Sequence, residues 1–331
     1  MKQFCLIILA ALLLQGCGEN GKSMKDDSRN AVKKKPMVRA VESFHTSKII
    51  GIGGEISPQW KKSDCLCAHV STDELIKLAS KHEDKIEHLI AFHALLKKNP
   101  HEAVNLAIAE VEDTTIVHIS SGCCGSEDMA SNIRVEMIQY NREHYKVSKE
   151  DSVRLDSAIL FSSNGSKFYY SNCLYHRLPA KPEYENRLWQ LYEQTPYALI
   201  PLARYHREEV KKVITQLLTE IENKDLWPYR DTIRSVLDAV VVWPSPSYKR
   251  QVRLICRKVL NNKDRVGFTN YAFGALMAYN DQWSYNCIDK ALSVSKQRDK
   301  LYYNDCWSFH EAYEDNPQPL FKPLIKKYPL E

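Results

Sequence analysis

The sequence predicts a mainly α protein: a stack of helical hairpins interrupted by one small β-hairpin. Three observations carry this. Apolar residues recur three and four positions apart through much of 71–112 and 183–328, the spacing that gathers them on one helix face. Turn residues such as Asn99-Pro100, Pro244 and Pro246 interrupt the pattern. One helical segment is repeated, with Ala91-Phe92-His93-Ala94-Leu95 echoed by Ala272-Phe273-Gly274-Ala275-Leu276. The register continues from Asn99 to Asn280 and from Asn105 to Asn286.

The chain opens with Lys2 and an unbroken apolar run from Phe4 to Leu14, closed by Gln15-Gly16-Cys17. A basic start followed by an apolar core of this length reads as a secretory signal over residues 1–16. The run is too short to cross a bilayer core, which needs about 20 residues. Leu14-Gln15-Gly16-Cys17 resembles the lipobox of bacterial lipoproteins. The resemblance covers only the first 17 residues, and Gln15 departs from the small residue usual there. It implies that Cys17 receives a diacylglyceryl group, becomes residue one after cleavage, and anchors the chain in the bilayer with further acylation such as palmitate. Gly18 follows where inner-membrane lipoproteins carry Asp, so the resemblance implies the outer membrane, facing the periplasm.

Residues 17–40 hold seven Lys/Arg, three Asp/Glu and almost no large apolar side chain. Such a segment buries too little to offset its ordering entropy, so 17–55 is expected to be a disordered tether. The GIGG stretch at 51–54 lacks nucleotide-loop spacing and is its lead-in to the fold. Lys2 and the tether together account for the whole formal charge of +5, leaving 41–331 near neutral. No basic stripe remains for nucleic acid.

Residues 56–163 are expected to form N-terminal helical hairpins. Ser71 followed by Asp73 and Glu74 marks a helix start, and Ile86, Leu89, Ile90, His93 and Leu96 form an apolar stripe. His93 on that stripe is expected to be a hydrogen-bonded core histidine. TTIVHIS (114–120) and NIRVEMIQY (132–140) are rich in β-branched residues around Gly122 and Gly125, the pattern of a β-hairpin. Ser148 caps a return to helix through 161, and 164–182 reads as a loop. Residues 183–331 follow as a helical-repeat array. Second-helix starts near Ser247, Ser284 and Gln318 recur at repeat-like spacing. The A-F-x-A-L helix, short break and amphipathic helix together resemble HEAT-type solenoids, which implies a surface for a protein partner.

Ten cysteines are present. Cys5 leaves with the signal and Cys17 takes lipid, leaving Cys65, Cys67, Cys123, Cys124, Cys173, Cys256, Cys287 and Cys306. Outside the cytosol an even count argues for bridges. Cross-pairing of Cys65 and Cys67 with Cys123 and Cys124 is the candidate set, with connectivity open. Packed thiols are the alternative for the other four. Cys-x-Cys and Cys-Cys both miss structural zinc spacing, so no metal or other cofactor is expected. Nor does a nucleophile elbow or phosphate loop occur. Two functions remain: a lipid-anchored binding or scaffold module, for instance an immunity protein, or an envelope hydrolase. The hydrolase site would lie near 113–140, with His118, Cys123 and Asp128 converging.

Overall fold

In the computed structural model, residues 43–46, 49–50, 55–80, 84–121, 124–168, 171–222, 227–261, 267–298 and 302–330 are described. The leader, Cys17, most of the tether and Cys123 lie outside these residues. Glu42–Glu331 forms one compact unit.

Helix ends follow local chemistry. α1 (Pro58–His69) takes Pro at its first position, where a missing N–H costs nothing. α2 (Thr72–Ala79) opens on a capping box, with Ser71 accepting from the Glu74 amide and the Glu74 carboxylate accepting from the Ser71 amide. Asp84 caps α3 (Lys85–Lys98). Asn99 both ends α3 and caps α4 (Pro100–Ala109). α3 is buried almost all round, from Ile86 to Leu96, because it packs against α1, α2, α4 and α5 (Ala130–Asn141).

The insertion is a β-hairpin, but not the expected one. β4 (Ile116–Ser121) pairs antiparallel with β5 (Cys124–Met129). Residues 132–140, expected as the second strand, lie in α5 instead. Ala130 to Val135 are all buried, so packing against α3 and α4 overrides the β preference of Ile133 and Val135. The expected tether also ends earlier than residue 55. β1 (Phe44–His45) pairs in parallel with β4, and β2 (Ile49–Ile50) pairs with β3 (Glu55–Ile56). Side chains hold β1 in place: Gln59 Oε1 accepts from the His45 amide, and Trp60 Nε1 donates to its carbonyl.

α6 (Lys149–Phe161) is capped by Ser148 as expected. The segment expected as a loop after it contains a 3-10 turn at Gly165–Lys167 and α7 (Ser171–Arg177). α8 (Pro182–Tyr192) and α9 (Leu199–Ala203) lead into α10 (Glu208–Glu222), α11 (Arg230–Val242), α12 (Lys249–Asn261), α13 (Thr269–Ala278), α14 (Gln282–Arg298), α15 (Tyr302–Asp315) and α16 (Lys322–Lys327). Here α9, α11, α13 and α15 stack as one row, and α10, α12 and α14 stack as a second. Contacts between alternate helices as well as sequence neighbours are the packing of an α-solenoid. The mainly α expectation with a small β insertion therefore holds. Both copies of the repeated motif occupy central helices, with Phe92 and Phe273 fully buried. The echo stops at the break: Asn280 takes a positive φ of 45°, whereas Asn99 has a φ of −146°.

Candidate functional site

A group of carboxyls raised by burial gathers where α7 meets the row of α11, α13 and α15. On α11, Asp231, Arg234 and Asp238 fall at i, i+3 and i+7, one helical stripe. Tyr197, just before α9, donates to Asp231 Oδ1 at 2.9 Å. Arg234 lies 3.7 Å from the same carboxylate and donates from Nε to the Gly267 carbonyl at 3.3 Å. Gly267 has a φ of +92°, and a side chain there would meet the Arg234 guanidinium. The guanidinium also lies over the rings of Phe268 and Tyr271, a favourable cation–π arrangement.

Asp238, one turn further, is the most enclosed acid of the stripe. His176 Nε2 approaches its Oδ2 at 3.4 Å. The Arg204 guanidinium holds α7 in place by donating to the His176 carbonyl at 2.7 Å. Burial pushes the Asp238 carboxyl above the ordinary aspartate range, against the opposing pull of His176. On α15, burial likewise raises Glu311 and Asp315. Asp315 adds to the shift of Glu311, and Glu314 adds to both. Asn270 donates to Glu311 Oε2 at 3.3 Å. The Tyr271 hydroxyl is pushed up to about 12, first by burial and then by Asp238. The common cause is desolvated negative charge with too little positive charge beside it. Such a face favours a visiting cation.

The 113–140 insertion behaves differently. His118 and Glu127 are cross-strand partners, with Nδ1 to Oε1 at 3.0 Å and both side chains largely exposed. Asp128 is the next residue on β5 and so points to the other face of the hairpin. It accepts from Asn132 Nδ2 and the Met129 amide. His118 and Asp128 therefore do not converge, and Cys123 lies outside the described residues. Among the bridge candidates, Cys65 is an exposed thiol and Cys67 a half-buried one on α1, and Cys124 starts β5. His93 is a core histidine: it is buried, with Nδ1 2.8 Å from Ser63 Oγ and Nε2 3.2 Å from Tyr145 Oη.

No family model, curated protein or solved structure matches the chain. Among the described residues, no group of three or more His, Cys, Asp or Glu could hold a metal ion, and no helix is long and apolar enough to cross a membrane.

Sequence reasoning missed the α7–α11–α15 cluster. His176 and Asp238 are 62 positions apart in the sequence, and no local motif joins them. The available signal was weak: an aspartate at position 238 inside the otherwise apolar run from Val236 to Val242.

Proposed function

We propose that this chain is an exported binding module, tethered through acylated Cys17, whose α11–α13–α15 face takes a basic segment of a partner protein in the cell envelope. The observation that carries the reading is the trio Asp238, Glu311 and Asp315, all raised by burial on one face. A Lys or Arg docking there supplies the missing counter-charge, and Tyr271 and Tyr197 offer ring surface beside it. An immunity protein that sequesters a basic envelope toxin is one specific form. The outer membrane facing the periplasm is the proposed location.

The test pairs in-cell crosslinking with titration. A photoreactive residue in place of Tyr271 should capture a protein partner. A Lys/Arg-rich peptide should bind the full-length chain, and Asp238→Asn/Glu311→Gln/Asp315→Asn should weaken it about tenfold or more. An unaltered affinity in the triple variant rejects the reading.

A second reading, an envelope hydrolase, moves from the insertion to α7. Cys173 is exposed and lies one turn before His176, which faces Asp238. A thiol, an imidazole and an orienting carboxylate are the parts of a nucleophilic triad. Loss of turnover of a small ester in Cys173→Ala, with peptide binding intact, would favour it.

A further inference from the structure

A cavity of about 480 Å³ opens between α12, α13 and α14, lined by none of the residues of the face described above. Its wall is mixed: Leu260, Leu276, Val294 and the indole of Trp283 give it an apolar side, Asn261 and Asn286 a polar one, and Arg257 and Lys290 stand exposed at its edge. Among the described residues that line it, none is acidic.

Two guanidinium groups lie over the indole. Arg253 stacks over it at 4.3 Å and Arg257 at 5.9 Å. Arg253 is committed elsewhere, with Asp281 accepting from its Nη2 at 2.5 Å. Arg257 and Lys290 are the two cations at the cavity's edge.

We propose that this cavity binds a single-chain amphiphile with an anionic head, of the medium-chain fatty carboxylate class. The alkyl body replaces water against Leu260, Leu276, Val294 and Trp283, and each buried methylene adds to the affinity. The head meets Arg257 and Lys290 in charge-assisted contacts. The volume falls in the range of small-molecule sites, about 300–1,000 Å³. An anion suits a mouth with two cations and no lining acid. A cationic or neutral amphiphile would gain the apolar contact without the head contact. This inference is independent of the binding-module reading, because the two sites share no residue and carry opposite charge, although α13 contributes to both.

The cavity carries its own reporter. Cys256 and Cys287 both line it, the first fully buried and the second half-buried. A bound chain would cover the Cys287 thiol.

The probe is decanoate, titrated calorimetrically into the full-length chain against decyltrimethylammonium and decanol. The expected result is saturable one-to-one binding of decanoate. Arg257→Glu/Lys290→Glu should weaken it at least tenfold, and Ala291→Phe, which fills the cavity, should abolish it. Decanoate should also slow maleimide labelling of Cys287 in the unaltered chain. That readout decides the matter if a variant fails to fold. Absence of saturable decanoate binding below about 1 mM overturns the proposal. So does equal affinity for decyltrimethylammonium, or a labelling rate that decanoate leaves unchanged.

Discussion

His176 on α7 and Asp238 on α11 meet across the row, Nε2 to Oδ2 at 3.4 Å, with Asp238 the more enclosed of the two, 13% exposed against 49%. The imidazole does not fully offset the burial of the carboxylate, since Asp238 still titrates above its ordinary range. A carboxyl raised in the folded state binds protons more tightly there than in the unfolded chain. Its stabilising effect is complete below the unfolded value and is lost as pH rises through the folded one. Asp238→Asn should therefore melt about 2–4 °C higher than the natural chain at pH 8, and the difference should close toward pH 4. Thermal melts across that window check it. A lower melting temperature for the variant at pH 8 would show that the pair with His176 outweighs the burial.

Arg134 on α5 has no exposed side-chain surface, and its guanidinium lies 2.6 Å from Glu110 and 3.0 Å from Asp113. Asp113 stays below the ordinary range despite burial, because Thr115 and Arg134 donate to it. Removing one partner of a buried ion pair strands the other, at about 3–5 kcal/mol. Arg134→Met should lose stability of that order in urea denaturation. Arg134→Met with Glu110→Gln and Asp113→Asn should recover much of it, because the stranded charges go with the guanidinium. Independent losses that simply add would contradict this account of the pair.

Arg134 also shows why part of the fold was hidden in the sequence. Ile133, Val135 and Met137 alternate with polar residues, which reads as a half-buried strand. The polar member at 134 is paid for by acids at 110 and 113, and one-dimensional periodicity cannot see such partners. Where a helix start is set by a local cap, as with Ser71 and Ser148, the sequence was sufficient, and the apolar stripe marked α3 as a helix although that helix is buried almost all round. The repeated A-F-x-A-L segment likewise marked the central helices, because close helix contact needs small residues beside a phenylalanine. The candidate site was least legible. His176, Asp238, Glu311 and Asp315 come from three helices, and only the stacking of alternate helices brings them together.

The anchor proposal makes a prediction at the other end of the chain. Acylation of Cys17 would give more than one chain in the bilayer, and stable attachment requires that. Cys17→Ala should shift the protein from the membrane fraction to the soluble or unprocessed fraction, while the melting temperature of Glu42–Glu331 stays unchanged. Fractionation and intact-mass measurement read the two outcomes. A membrane-bound Cys17→Ala protein of unaltered mass would reject the lipid anchor.

Glu136, two residues after Arg134 on α5, offers the sharpest pH test. Burial, with a contribution from Asp128, raises its carboxyl from 4.5 to about 7. The side chain is only partly enclosed, so solvent screening reduces the energetic consequence to about 1–2 kcal/mol. The sign follows from proton binding: the folded chain holds this proton through mildly acidic pH, and the unfolded chain releases it near 4.5. Stability from this group is thus complete below about 4.5 and disappears as pH climbs through about 7. Glu136→Gln keeps the shape without the charge. It should match the natural chain at pH 4.5 and exceed it by about 1–2 kcal/mol at pH 8, read from urea midpoints at both pH values. Equal midpoints at pH 8 would mean that the ionised carboxylate is solvated in the folded chain, and that α5 is less tightly packed around Glu136 than its neighbours indicate.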